Sequence, residues 1–296
     1  MRNYHDVVFN GKGIVSCCAA LVVSGVLFIP VKDMAQNITM NDGGSSATLN
    51  LGGGTGNVGM NSWSVGGLNQ LNQQWFWYSI NGVVPQTIDN ISAASVLTAN
   101  GVDGINAVQS TYANSQLEVS ITYVLSGNGV GSGSADLMEY ISLLNTSASQ
   151  TFNLNFYQYS DFNLLGGASD TVNISGGPGA YTGALQTTGT GGTGIAELID
   201  APDANFAEAN YANAGVSSTL YKLNNDANLM LNDNQNAGPG DVTWALQWGA
   251  TLNPGDVLNI TKDKGLSIQI VPEPSTVALI ALGVSALGLT LRRKIA

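Results

Sequence analysis

Carboxylates are the one class of side chain in the body of this chain that could carry acid–base chemistry. Glu118, Glu139, Asp161 and Asp170 lie on or beside segments that alternate like strands. An acidic pair can hydrolyse a glycosidic bond, one carboxyl protonating the leaving oxygen while the other acts as nucleophile or base. The spacing of these four singles out no pair. They are expected to solvate exposed faces or cap turns, and the chain is read as non-enzymatic. Tryptophans offer a different chemistry. Trp75 and Trp77 are two apart and share one face of a strand, with Phe76 and Tyr78 on the other, and Trp244 and Trp248 can likewise share a face. Exposed indoles in a shallow row stack on sugars, which would make a carbohydrate-binding module. Tryptophans at alternating positions more often fill a sandwich core, and that is the favoured expectation.

Two further patterns are weaker. Asn224-Asn-Asp-Ala and Asn232-Asp-Asn-Gln-Asn could offer hard oxygens to calcium, but the twelve-residue loop pattern is absent and Asx-rich turns are common. Calcium is therefore the one candidate ion, no metal ligands are assigned, and no other cofactor is expected. Gly54-Thr-Gly-Asn-Val-Gly59 and Gly189-Thr-Gly-Gly-Thr-Gly194 both fit G-x-G-x-x-G, in a chain with 37 glycines. Neither sits between a strand and a helix, so both read as chance.

Absences exclude more than the motifs assign. Between Gln36 and Val271 there is no cysteine, histidine or arginine, and the only bases are Lys222, Lys262 and Lys264. That removes Ser-His-Asp and Cys-His nucleophiles, histidine-ligated or thiolate zinc, and any disulfide. The chain's 20 acids less Asp6, Asp33 and Glu273 leave 17 in this stretch, so its net charge against three lysines is −14. Nucleic acid is excluded as a partner, since phosphate binding needs clustered Lys and Arg.

The elements that must position these residues read as strands. In Gln116–Leu125, Leu117, Val119, Ile121, Tyr123 and Leu125 alternate with Glu118, Ser120 and Thr122. A Gly/Ser run from Ser126 to Ser134 breaks the chain. A second strand then places Leu137, Glu139, Ile141 and Leu143 opposite Met138, Tyr140, Ser142 and Leu144. Thr151–Phe162 and Asp241–Thr251 alternate in the same way. Val257–Ile270 is expected to be a closing hairpin turning at Lys262-Asp263-Lys264-Gly265, and one short helix is expected within Ala201–Ala214. Many short strands with Gly/Asn turns predict an all-β, antiparallel β-sandwich for residues 36–270, with a jelly-roll-like layout within that class and a barrel as the alternative.

The ends read as targeting segments. Arg2 and Lys12 precede an apolar run from Gly13 to Ile29, then a polar stretch to Ala35. Residues 1–35 are therefore expected to be a secretory signal helix, with an uncleaved anchor as the alternative. Ile14-Val-Ser-Cys17 is lipobox-like but opens the apolar region instead of closing it. At the other end, Pro272-Glu273-Pro274 leads into an apolar stretch from Ser275 to Leu291, followed by Arg292, Arg293 and Lys294. Those 17 residues span about 25 Å as a helix, enough for a short membrane crossing. The basic triplet fixes the tail on the cytoplasmic side and the body outside.

Residues 271–296 resemble the PEP-CTERM sorting signal of Gram-negative bacterial surface and secreted proteins, a Pro-Glu-Pro triplet, a short membrane helix and a basic tail in that order. The resemblance implies an exosortase as partner, transit through the inner membrane, and then residence at the cell surface or release. It also implies association with exopolysaccharide and biofilm. Phe156-Tyr-Gln-Tyr-Ser-Asp-Phe-Asn-Leu164 and Gly240-Asp-Val-Thr-Trp-Ala-Leu-Gln-Trp248 resemble, more loosely, segments of a recurring type of PEP-CTERM protein, with no catalytic role attached. Together these readings make the chain an exported, non-enzymatic surface or matrix protein. A carbohydrate-binding module is the alternative and a carboxylate-based glycan hydrolase the third reading.

Overall fold

The computed structural model describes residues 29–30, 37–52, 58–166, 169–189 and 192–268. The expected signal and the Pro-Glu-Pro tail, Arg292 to Lys294 included, fall outside them apart from the backbone of Ile29–Pro30. No helix among the described residues is long and apolar enough to cross a membrane.

Two open antiparallel sheets face each other. The ten-stranded sheet runs, in spatial order, Ile29–Pro30, Ser95–Asn100, Ile105–Ala113, Leu117–Gly127, Ser134–Asn145, Val257–Ser267, Gly194–Ala201, Ala180–Thr187, Asp170–Gly177 and Asn236–Gly240. The nine-stranded sheet runs Phe206–Tyr211, Val242–Leu252, Phe152–Phe162, Leu71–Ile80, Gly59–Val65, Ser45–Asn50 and Asn37–Asp42, with Leu68–Asn69 and Gln86–Thr87 paired to its inner members. Neither closes on itself, so the sandwich expectation holds and the barrel alternative does not.

Strand formation follows the period-two pattern. Ser134–Asn145 alternates strictly, burying Ala135, Leu137, Glu139, Ile141, Leu143 and Asn145 while the intervening residues stay partly exposed. The expected Gly/Ser break is the turn of a hairpin whose last pair is Gly127 with Ala135. At that end the two sheets meet backbone to backbone. A Cβ on Gly43 or on Gly127 would overlap the other's main chain, and Asp42 Oδ2 accepts from Gly127 N at 2.8 Å.

Two expectations are corrected. Val257–Ser267 is one continuous strand between Ser134–Asn145 and Gly194–Ala201, with no turn at Lys262–Gly265. Lys262 and Lys264 share the buried face with Ile260 and Leu266, while Asp263 lies on the opposite face. A charged tetrapeptide looks like a turn only if its charges are assumed to need water. The helix expected within Ala201–Ala214 is instead a strand, Phe206–Tyr211. Its small Ala207 and Ala209 pair opposite Leu246 and Trp244, so tertiary pairing overrides the helical preference of alanine. The helix lies later, at Thr219–Asn225, started by Ser218 Oγ accepting from Tyr221 N at 3.2 Å.

Candidate functional site

The four tryptophans are interior. Trp75, Trp77, Trp244 and Trp248 are 0–2 % exposed, so none can stack on a sugar, and the stacking row is withdrawn in favour of core packing. Phe76 pairs with Gln158 and Trp248 with Phe156, which puts these residues on the face turned to the other sheet, with the Phe76 and Phe156 rings stacked at 5.4 Å. Trp77 lies on the opposite face, edge-on to Tyr159 at 6.1 Å, its Nε1 donating to Asn224 Oδ1 at 3.1 Å. Each of the other three indole N–H groups also finds an oxygen: Trp75 meets Asp89, Trp244 meets Glu197 and Trp248 meets the Pro202 carbonyl. Buried indoles carry a donor that must be satisfied.

The carboxylates come inside too, and the richest grouping joins residues that sequence reasoning did not connect. Three adjacent strands each place a charge in the middle of an apolar stripe: Glu139 between Leu137 and Ile141, Glu197 between Ile195 and Ile199, Lys262 and Lys264 between Ile260 and Leu266. Register then does the pairing, with Glu139 directly opposite Lys262 and Glu197 opposite Lys264. Lys262 Nζ donates to Glu139 Oε2 and, at 3.1 Å, to Glu197 Oε1; Lys264 Nζ lies 2.7 Å from Glu139 Oε2 and 3.3 Å from Glu197 Oε1. All four side chains are 0 % exposed.

The facing sheet completes the coordination. Gln74 Nε2 donates to Glu139 Oε1 at 2.6 Å, and Gln158 Nε2 and Trp244 Nε1 both donate to Glu197 Oε2 at 2.8 Å. Lys262 Nζ sits 5.2 Å from the Phe76 ring centroid, within cation–π range. Burial, with the neighbouring Lys264 ammonium, pulls Lys262 well below the ordinary lysine pKa. Two acids and two lysines give the quartet formal charges that sum to zero. Chemically this is a proton-rich cluster of acids and amines with no opening to a substrate; its geometry ties one sheet to the other.

The remaining acids also serve the fold. Asp161 Oδ2 accepts from Asn72 Nδ2 at 2.8 Å, and burial raises its pKa to about 6, a rise to which the nearby Asp241 adds. Asp170 Oδ2 accepts from Leu164 N at 3.1 Å and Gln186 Nε2 at 2.8 Å. Glu118 is half-buried on its strand. Glu208, fully buried, pairs with Lys222 at 2.5 Å and accepts from Thr219 Oγ1 at 2.7 Å, fastening the short helix to the nine-stranded sheet. Among the described residues every cation is thus ion-paired, and the exposed surface is anionic or neutral. In the second asparagine run weighed for calcium, Asn232 Oδ1 accepts from Asn234 N, and Asn234 Nδ2 donates to the carbonyls of Ala209 and Asn236. Among the described residues, no three His, Cys, Asp or Glu side chains gather closely enough to hold a metal ion together.

Outside the core, a groove of about 440 Å³ lies on the far face of the nine-stranded sheet. Asn153 and Asn155 reach it from one strand, Gly249 and Thr251 from the next, and Asn205, Phe206 and Met230 close its sides. The paired positions Asn155 and Gly249 leave a dip, because glycine puts no side chain beside the amide. The amide oxygens are engaged. Asn153 Oδ1 accepts from Thr251 Oγ1 at 2.7 Å, Asn155 Oδ1 from Gln247 Nε2 at 3.1 Å, and Asn205 Oδ1 from Gly249 N at 2.7 Å.

Comparison with known proteins bears on the fold and on the tail. The chain is similar to a bacterial glucoamylase solved in complex with acarbose, with 9 % identity and a TM-score of 0.53, over 87 % of this chain and 37 % of that one. It thus spans little more than a third of that enzyme, and the likeness is one of fold. A GalM/aldose epimerase homologue from C. elegans matches at 9 % identity and TM-score 0.46, over 79 % of this chain and 99 % of that one. A polysaccharide lyase matches at 12 % identity and TM-score 0.44, over 77 % and 33 %. No curated protein matches by sequence. Residues 271–294 match the PEP-CTERM protein-sorting motif, the segment whose triplet, apolar stretch and basic end stand out in the sequence. That motif marks an exported protein handled by an exosortase, and the chain is a PEP-CTERM sorting domain-containing protein.

Proposed function

We propose that this protein is a non-enzymatic component of the cell envelope or of an extracellular polysaccharide matrix. It is exported by its N-terminal signal, held in the inner membrane by Ser275–Leu291 during transit, and processed by an exosortase at Pro272-Glu273-Pro274. The sorting motif at 271–294 is the observation that carries this reading. Two features support it. Glu139, one of the four candidate acid–base groups, is fully buried in a quartet with Glu197, Lys262 and Lys264, a structural use of carboxylates. The body's net charge of −14, with its three lysines all ion-paired, suits a soluble, hydrated surface that calcium could bridge to acidic polymers.

The test is the intact mass and cell fraction of the native protein with and without the exosortase. Loss of the tail only when the enzyme is present supports the reading. Retention of residues 271–296 in both strains would replace it with a simple membrane-anchored surface domain. Chelator-dependent release of the protein from its matrix tests the calcium bridge, and unchanged retention after chelation removes it.

A second reading, binding of carbohydrate, is favoured by the neutral amide-lined groove on the nine-stranded sheet.

A further inference from the structure

We infer that the groove formed by Asn153, Asn155, Asn205, Met230 and Gly249 is a binding site for a neutral, polyhydroxylated glycan segment. This deepens the carbohydrate-binding reading by naming a site and a ligand class.

The choice of ligand comes from which atoms are left free. In each of the three asparagines the side-chain oxygen already accepts a hydrogen bond from the protein, while no partner within the described residues takes a proton from the Nδ2 group. The groove therefore offers an array of amide donors and few free acceptors. A ligand rich in acceptor oxygens fits that array, and a sugar's hydroxyl and ring oxygens supply them. Cations fit it less well, since no carboxylate lines the groove and each asparagine oxygen already accepts one hydrogen bond. Anionic sugars also fit it less well: none of the residues lining the groove is charged, and the body around it carries −14. Met230, half exposed, and the partly buried Phe206 add an apolar wall against which the C–H face of a pyranose can lie. The volume of about 440 Å³ falls within the roughly 300–1,000 Å³ of small-molecule sites.

Preorganisation supports the assignment. Asn205 is fixed by three contacts: its N–H donates to the Gln247 carbonyl, its carbonyl accepts from Gly179 N, and its Oδ1 accepts from Gly249 N. Asn153 and Asn155 stand two apart on one strand, so their amides project from the same face. Donors held in place by the sheet lose little freedom when a ligand arrives.

The test uses the native protein purified from exporting cells. Neutral cello-, malto-, manno- and galacto-oligosaccharides are titrated by calorimetry, with an oligogalacturonate as the acidic comparison. We expect at least one neutral series to bind. In Asn155→Asp a carboxylate oxygen still accepts from Gln247 while the amide donor is lost, and affinity should weaken about tenfold or more, the value of one good polar contact. Gly249→Gln fills the dip and should abolish binding. Glu118→Gln, on the other sheet, should leave it unchanged. Absence of binding to every neutral series overturns the proposal. So does binding that survives both groove substitutions, or binding of the acidic oligosaccharide alone. Export and tail processing are scored separately on the same preparations. A correctly sorted protein that binds no neutral glycan removes this site and leaves the sorting reading standing, and a glycan-binding protein that is never exported does the reverse.

Discussion

The interior quartet and the outer groove use polar side chains in opposite ways. Glu139, Glu197, Lys262 and Lys264 are ionisable, completely buried, and spend their carboxylate oxygens on the two lysines and on Gln74, Gln158 and Trp244. The groove has no charged lining residue, stands open to solvent, and leaves its asparagine Nδ2 donors without partners among the described residues. Taking four ions out of water costs several kcal/mol each, and their mutual contacts with the hydrogen bonds from the facing sheet offset that cost. The residue types that look most like catalytic machinery are thus holding two sheets in register, and those that look blandest are placed for recognition. In a chain without disulfide-forming cysteine in its body, a neutral ionic cluster is one of the few ways to make the pairing of two broad sheets specific.

The largest expected effect breaks the quartet. Glu139→Ala leaves a buried lysine uncompensated and should cost about 3–5 kcal/mol in chemical denaturation. The double replacement Glu139→Leu with Lys262→Met keeps the cluster neutral and should recover most of that loss. If the double variant is no better than the single, charge balance is not what the quartet supplies.

Next comes pH. Burial raises Asp161 from the ordinary 3.8 to about 6, so between those values the folded state keeps a proton that the unfolded chain has released. Stability therefore falls as pH rises from 3.8 to about 6, by an amount on the order of 1–3 kcal/mol. Asp170 and Asp263 are raised in the same direction, also chiefly by burial, so Asp161→Asn should flatten the slope only in part. An unchanged slope would show that Asp161 is not the group responsible.

Smaller still is the effect at the quartet's counterpart, in which a buried Glu208 meets a partly exposed Lys222. Lys222→Met removes a partner of Glu208 but leaves Thr219 and Asn210 bonded to it, so a loss of about 1–2 kcal/mol is expected. Faster hydrogen exchange confined to Thr219–Asn225 would locate the effect in the helix. The smallest effect sharpens the other side of the comparison: Asn155→Asp should shift stability by no more than about 0.5 kcal/mol, as an open surface position allows. A large loss there would mean the groove is part of the fold's support.

Much of the architecture can be read from periodicity. The strands at Leu117–Gly127, Ser134–Asn145, Phe152–Phe162 and Val242–Leu252 lie where alternation places them. Even Glu139 shows its position, since it falls on the apolar parity between Leu137 and Ile141. The same signal was available at Lys262 and Lys264, between Ile260 and Leu266, but a cluster of charge beside glycine also reads as a turn. The groove had no local signal. Its asparagines come from separate strands and a connecting loop, and an asparagine looks the same whether its amide is solvated, engaged or poised for a ligand.

By itself, then, the sequence determined the sorting tail, the all-β class, the exclusion of histidine and cysteine chemistry, and which face of each main strand is apolar. These depend on residue type and short-range spacing. Only the tertiary structure decided that Glu139 meets Lys262 across 123 residues of chain, that the indoles turn inward, and that Asn155 lies beside Gly249. A period of two assigns a residue to a face, but strand order and register choose its neighbours, and those are set by the packing of whole sheets.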